Sequence, residues 1–225
     1  MADWEISDEA DFAYTADLLE EECRASAPRR GASPHLAITL TELLVVQTHK
    51  WFGAADVKLD ALVAHGAKDA GSVAYSVRTL PFAGVRKGEF LPIGAPGLLL
   101  YEGRPRRFID LFLILSRDDA ASPTAQAVLE EVVATGETLQ LPLELATATG
   151  FIPESELLAA GLKTAVAVGD LVLARMRQHR PAIIGMFRAS WLRGRDNWGI
   201  GQHPPQGRFD VSGMSFSFSV VDESE

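Results

Sequence analysis

Apolar and polar residues alternate with a period of two over most of residues 36–116, the pattern of β-strands that bury one face. Turns that contain glycine or proline divide this stretch into short segments. Near the C-terminus, Met214-Ser-Phe-Ser-Phe-Ser-Val-Val221 alternates in the same way and predicts one apolar face and one wet face of serines. The pattern therefore predicts strands at 36–48, 56–64, 72–79, 89–93, 97–102, 107–116 and 214–221.

Three other segments repeat their apolar residues at helical spacing. Residues 7–26 begin with Ser7 as a plausible N-cap, and residues 29–34 then break the helix and read as a linker. Ser122 and Pro123 suit the N-cap and the first position of a second helix, predicted over 123–135. A broad apolar stripe predicts the third helix over 154–180, while residues 136–150 fit neither pattern clearly.

The order of these elements predicts a mainly β fold with helices, of the α+β class. The last strand must pair back into the earlier sheet, because a lone strand has no stable partner. The helices before it then form an insertion in the β-domain. We therefore expect an acidic N-terminal helix and linker at 1–34, and a β-domain at 35–225 with a helical insertion at 122–182.

Bulk composition narrows the class of protein. The chain has 225 residues, of which 47% are hydrophobic, enough for one sizeable core. A single cysteine, Cys23, excludes an internal disulfide framework and a cysteine-based zinc cluster. We find no signal peptide and no membrane-spanning run, so we expect a cytoplasmic protein. The net charge of −9 argues against nucleic-acid binding.

The charge is unevenly distributed along the sequence. All charged residues in 1–22 are acidic, whereas those in 175–195 are all arginines. Two solvated faces would explain this pattern. Alternatively, the acidic segment packs near the basic one, or the basic segment meets an anionic partner.

Two loops and their flanking strands resemble those of C2 and C2-like domains. Gly53 and Asp56, followed at once by Val57-Lys58-Leu59, are similar to the second half of the family's first loop motif. Phe108–Asp119 is similar to its hydrophobic strand that ends in acids, and Asp196-Asn-Trp-Gly-Ile-Gly201 is similar to its later Asp-x-Ile-Gly motif, with one residue more. The resemblance covers roughly 36–119 and 196–221. It implies a C2-like antiparallel β-sandwich with the helical insertion in an apical loop.

The resemblance also implies calcium as an alternative ligand of those loops. Calcium takes about six to eight oxygen ligands, so several carboxylates must converge. This sequence departs from the family, because Lys50 and Ser116 stand where loop acids are expected. The remaining candidate ligands are Asp56, Asp118, Asp119 and Asp196. Asp56 and Asp118 would otherwise serve as turn or cap residues.

A second set of residues predicts contact with a partner protein or an anionic membrane surface. Trp51 and Phe52 follow Lys50 at a predicted loop tip, where adjacent aromatics insert into a membrane interface or a partner pocket, or plug the end of the sandwich. Arginine and tryptophan are enriched at interface hot spots. We therefore add to the candidates the residues around the arginine-rich stretch, namely Arg188, Trp191, Arg193, Arg195 and Trp198.

Catalytic motifs are weak in this sequence. It contains no Gly-x-Ser-x-Gly nucleophile motif. The one enzymatic alternative uses His49 or His203 with Asp56 or Asp196, as a base or a metal site. We expect a non-enzymatic recognition module that uses the apical loops and the helical insertion, with no cofactor other than possible calcium. By family analogy, a partner from a bacterial effector or conflict system would fit.

Overall fold

The computed structural model describes residues 11–12, 33–50, 53–67, 73–119, 122–135, 154–179, 182–211 and 213–224. The strands in these ranges are β1 (Asp11–Phe12), β2 (Leu36–Val45), β3 (Ala55–Gly66), β4 (Val73–Val85), β5 (Glu89–Phe90), β6 (Leu98–Gly103), β7 (Arg106–Arg117), β8 (Ile183–Leu192), β9 (Gly201–His203), β10 (Phe209–Val211) and β11 (Met214–Asp222). The helices are α1 (Ala125–Thr135), α2 (Glu154–Gln178) and the short α3 (Arg193–Asp196), which a 3₁₀ turn follows at Asn197–Gly199.

The first sheet, called sheet I, has the strand order β1-β8-β7-β3-β4. Its neighbouring strands are antiparallel except at one edge, where β1 runs parallel to β8. The register places Leu62, Phe112 and Arg188 side by side across β3, β7 and β8. Residues that are far apart in sequence therefore share one row on the interior strands of this sheet.

The second sheet, called sheet II, has the order β10-β11-β2-β5, and β6 and β9 pair with β2 and β11 respectively. Strand β11 pairs with β2 along its whole length, from Met214 opposite Val45 to Asp222 opposite Leu36. This pairing confirms that the last strand returns to the sheet that the earlier strands begin.

The main core lies between the two sheets. The inward faces of β2 and β11 in sheet II and of β3, β7 and β8 in sheet I form one buried apolar cluster. Phe187 of sheet I is 1% exposed and meets Phe216 of sheet II edge-on, with ring centroids 4.9 Å apart. Such edge-to-face pairs stabilise a core beyond the area that they bury.

Helices α1 and α2 cover the other face of sheet I. A second apolar cluster joins Leu62, Phe112 and Met186 of the sheet to Val128 of α1 and Val172 of α2. The described chain thus has three layers, namely sheet II, sheet I and the helical layer, and the predicted α+β class is confirmed. None of the described helices is long and apolar enough to span a membrane.

Most predicted elements are present with shifted ends. The helices predicted over 123–135 and 154–180 correspond to α1 and α2, and the strand predicted over 214–221 is β11. The largest shift is in β4, which continues to Val85 although its predicted end is at 79. Pro81 lies inside β4, and proline is tolerated there because β4 is an edge strand of sheet I.

Two segments differ from the sequence prediction. Strand β8 is absent from the sequence prediction, which left 183–192 unassigned beyond the helical insertion. The helix predicted over 7–26 is wrong at Asp11–Phe12, which form β1, and the rest of that prediction lies outside the described residues. Because β1 pairs with Arg188 and Ala189, this part of the acidic segment does lie beside the arginine-rich one.

Gly169 lets α2 approach sheet I closely. A Cβ atom at this position would lie 2.2 Å from Cζ of Phe112, whose ring is fully buried. We expect Gly169→Ala to lower the free energy of unfolding by about 1–3 kcal/mol through overpacking, although alanine is the better helix former by about 1 kcal/mol. Urea unfolding measures the change. Ala174→Gly, at an exposed position of the same helix, calibrates the propensity term, and a stabilised Gly169→Ala would contradict the close approach.

Candidate recognition edge

Described residues of three connections lie at one end of both sheets, and we call the surface that they form the loop edge. It comprises the described parts of 46–56, from the end of β2 to the start of β3, 84–90 at the end of β4 and in β5, and 117–119 at the end of β7. Backbone hydrogen bonds connect these segments. Gly88 N donates to Val45 O at 2.7 Å, and Asp118 N donates to Asp56 O at 2.8 Å. The loop edge is therefore held by the ends of β2, β3, β4 and β7.

The first loop is closed by its own residues. Lys50 donates from Nζ to the carbonyl oxygen of Ala54 at 2.8 Å, and Gly53 has a φ of 83°, which favours glycine. Lys50 itself is exposed. Trp51 and Phe52, between these residues, lie outside the described part of the chain, so their contact with a partner stays a prediction.

The acids of the loop edge take part in hydrogen bonds and ion pairs. Asp56 accepts a hydrogen bond on Oδ1 from Gly84 N at 2.9 Å, across the irregularity in the pairing of β3 with β4. Asp119 pairs with Arg117, with Oδ2 and Nη2 3.2 Å apart. The carboxylate of Asp56 thus has a structural role in the loop that resembled half of a calcium motif.

The four predicted metal ligands do not form one cluster. Asp56, Asp118 and Asp119 lie at the loop edge, but Asp196 follows β8, at the end where Leu192 pairs with Phe108. From Phe108 to Arg117 the strand β7 extends about 30 Å at roughly 3.3 Å per residue. Asp196 instead accepts a hydrogen bond from Leu192 N at 2.8 Å. The prediction that Asp196 joins the other three is therefore wrong.

Exposed apolar side chains adjoin the loop edge on the outer face of sheet II. Phe90 is 51% exposed and pairs with Leu44, and Val46, two residues further along, is 39% exposed. The guanidinium carbon of Arg208 lies 5.2 Å from the centroid of the Phe90 ring, within range of a cation–π contact. Arg86 and Lys87 are exposed in the turn after β4, whose Gly88 N bonds to Val45 O next to Val46.

Three of the predicted partner-binding residues are buried instead. Arg188 is 7% exposed, Trp191 is 8% exposed and Trp198 is 2% exposed. The prediction that they mark an exposed surface is wrong, because β8 is an interior strand of sheet I with sheet II on one side and helices on the other. Arg193 and Arg195 lie on α3, at the end of the sheets opposite the loop edge.

Arg188 belongs to an ion-pair network beneath α2. Its guanidinium donates to both carboxylate oxygens of Asp110, from Nε at 3.2 Å and from Nη2 at 2.7 Å, and to Asp170 of α2 from Nη1 at 2.7 Å. Ser190 donates to Asp110 at 2.9 Å. The Arg188 guanidinium also lies over the Phe112 ring, 4.8 Å from its centroid. This arginine therefore joins the helical layer to sheet I.

Burial changes the titration of this network. It raises the pKa of Asp110, against the opposing effects of the Arg188 charge and of the hydrogen bonds from Arg188 and Ser190. It also raises the pKa of the Tyr75 phenol on β4 to about 12, with a further contribution from the Asp110 charge. Asp110 is buried and accepts hydrogen bonds from fixed donors, as expected of an ion pair with a structural role.

A second buried polar group fixes the start of α1. Lys58 donates from Nζ to the carbonyl oxygen of Ser122, and Thr79 donates to Asp60. Lys58 is 3% exposed and Asp60 is fully buried. Desolvation raises the pKa of Asp60, although its hydrogen bonds and the Lys58 charge act in the opposite direction. These residues link β3 to the chain that enters the helical layer.

The two histidines of the enzymatic alternative are not brought together. His49 lies at the loop edge, and burial and the Arg117 charge lower its pKa. His203 pairs with Phe218, which pairs on its other side with Leu40, well inside β2. Its ring stacks on Phe218 with centroids 5.1 Å apart, so His203 has a packing role.

The structure also reveals one convergent set of side chains that the sequence analysis missed. His35, Glu102 and Glu223 come together at the end of sheet II opposite the loop edge. They are distant in sequence and belong to no recognisable motif, so only the strand pairing shows that they are neighbours. Compared with known proteins, the chain matches no protein-family model, no curated protein and no solved structure.

Proposed function

We propose that this chain is a non-enzymatic recognition module that binds a partner protein through the loop edge. The observation that carries the proposal is the exposed apolar patch of Phe90 and Val46 beside loops that strands of both sheets hold in place. Exposed aromatic residues rimmed by charged side chains are typical of protein interfaces, and loops on a rigid scaffold are where binding residues concentrate.

The charge of the loop edge favours a protein over a membrane as the partner. Its described residues carry bases and acids in equal measure: Lys50, Arg86, Lys87 and Arg117 against Asp56, Glu89, Asp118 and Asp119. An anionic membrane attracts clusters of basic residues, and acids among them weaken that attraction. A mixed rim instead fits the charged surface of a protein and sets its orientation.

The C2-like resemblance remains part of this proposal. Two packed sheets with the loops after 50 and after 117 at the same end are compatible with it. In this reading the helical layer stabilises the scaffold, because the apolar sides of α1 and α2 are used against sheet I. Calcium is a weaker alternative here, because Asp56 and Asp119 already bond to groups of the protein itself.

Capture with matched variants tests the proposal. The wild type, Phe90→Asp and Ile200→Asp are immobilised and exposed to an extract of the source organism. Ile200 is 39% exposed at the other end of the sheets, so its variant is the control for adding a surface charge. We expect the wild type and Ile200→Asp to capture at least one protein in similar amounts. Phe90→Asp should capture at least tenfold less of that protein.

Vesicles test the membrane alternative in parallel. We expect vesicles of neutral and of anionic lipid to sediment equally small amounts of the wild type. Sedimentation with anionic vesicles that Phe90→Asp abolishes would replace the protein partner by a membrane. Identical sets of proteins on all three immobilised chains would contradict a role for the loop edge.

A further inference from the structure

Three segments of sheet II place potential metal ligands at its end opposite the loop edge. His35 directly precedes β2, Glu102 lies in β6, and Glu223 directly follows β11. His35 Nε2 lies 3.6 Å from Glu102 Oε1, and His35 Nδ1 lies 3.8 Å from Glu223 Oε2. One ligand atom from each of the three residues can be chosen so that all lie within 4.8 Å of one another.

The backbone around these residues is fixed by strand pairing. Leu36 pairs with both Gly103 and Asp222, which sets the neighbours of all three side chains. Glu223 N donates to His35 O at 2.6 Å, and His35 N donates to Ser224 Oγ at 2.7 Å. The cluster is therefore assembled by the sheet before any ion binds, which lowers the entropic cost of binding.

The donor set selects a class of ion. One imidazole nitrogen and two carboxylates suit a divalent transition metal such as Zn²⁺, whereas calcium prefers oxygen ligands alone. Ligand atoms around tetrahedral zinc lie about 3.3 Å apart when the bonds are about 2.0 Å long. The separations of 3.6 and 3.8 Å start from different nitrogens of His35, whereas one ion takes only one of them. With one ligand atom per residue the three atoms lie within 4.8 Å of one another, so the exposed glutamate side chains must rotate inward to reach the tetrahedral separation.

We propose that His35, Glu102 and Glu223 bind a divalent transition metal of the zinc class. The side chains are 29%, 46% and 48% exposed, so water completes the coordination and the ion enters from solvent. The ligands lie directly before β2, in β6 and directly after β11. The ion therefore cross-links these strands and fixes the residues that follow β11. This role is independent of the loop edge.

The same three residues also fit an arrangement without metal. A protonated His35 would make ion pairs with both glutamates, each of them exposed and hence weak. Only the first arrangement takes up an ion, so direct titration with metal distinguishes the two.

Zinc titration of the full-length, untagged chain tests the site. After chelator treatment, calorimetry and thermal unfolding are followed with added Zn²⁺ at pH 7.5. We expect one ion per chain and a rise in Tm for the wild type, because the ion binds the native state. His35→Ala and the nearly isosteric Glu223→Gln should bind at least tenfold more weakly, and Glu223→Gln keeps the test valid if His35→Ala fails to fold.

Two control variants exclude other zinc ligands. His179→Ala removes an exposed histidine outside the cluster, and Cys23→Ser removes the single thiol. Both should bind Zn²⁺ as the wild type does. The proposal is overturned if the wild type does not bind Zn²⁺, if His35→Ala and Glu223→Gln bind it as well as the wild type, or if millimolar Ca²⁺ competes with it.

Discussion

Arg188→Met should lower the free energy of unfolding by about 3–5 kcal/mol, the usual cost of removing one partner from a buried ion pair. Arg188 and Asp110 are 9% and 3% exposed at their side chains, and two hydrogen bonds join them. Methionine fills a similar volume, so the loss comes from a buried carboxylate without its counter-charge. Urea unfolding monitored by circular dichroism measures the change.

A double variant separates the charge effect from packing. In Arg188→Met/Asp110→Leu both charges are gone, and we expect it to be more stable than Arg188→Met alone. Arg86→Ala, at an exposed arginine of the loop edge, is the control and should change the free energy of unfolding by less than about 0.5 kcal/mol. Equal, small effects of Arg188→Met and Arg86→Ala would place Arg188 at the surface, as the sequence had predicted.

Phe187→Ala should cost about 3–5 kcal/mol of unfolding free energy, as expected for a large aromatic lost from a core. Phe187 is 1% exposed and packs against Phe209, Phe216 and Phe218 of sheet II. The loss therefore reports directly on the packing of β8 in sheet I against sheet II.

A double-mutant cycle confines this effect to the contact between the sheets. Phe187→Ala and Phe216→Ala should show a coupling energy of about 0.5–1.5 kcal/mol, because their rings touch. Phe90→Ala removes an exposed ring and serves as the control, with an expected change below about 0.5 kcal/mol. Additive effects of the first two variants would contradict the packing of sheet I against sheet II at these rings.

The sequence predicts well those strands whose pattern reflects their surroundings. In β11, Met214, Phe216 and Phe218 face the core, as their alternation with serines indicates. The predicted wet face is wrong at Ser215 and Ser217, which are both 4% exposed, and the Ser217 hydroxyl lies 2.8 Å from the Thr41 hydroxyl. The helix α2 was also predictable, since its broad apolar stripe covers sheet I.

Strand β8 escaped prediction for a physical reason. It is buried on both faces, and its helix-facing side carries Arg188 and Ser190, which look like surface residues in isolation. The partner that makes this burial tolerable, Asp110, lies 78 residues away in sequence. A weak signal was present, because Phe187, Ala189 and Trp191 alternate with Arg188 and Ser190.

The candidate sites were only partly accessible from sequence for a similar reason. The backbones of Asp56 and Asp118 are hydrogen-bonded because each residue lies next to the end of a long strand, and those strands pair. The positions of Phe90 and of His35 depend instead on which short strands border β2. Such pairings leave no periodic trace in the sequence.

Photo-crosslinking in the living cell tests the central claim, that binding takes place at the loop edge, most directly. A photoreactive phenylalanine analogue replaces Phe90 in one chain and Ile200 in another, both at exposed positions. We predict a discrete crosslinked protein species from position 90 and none from position 200. The same species from both positions, or a species from position 200 alone, would contradict the account.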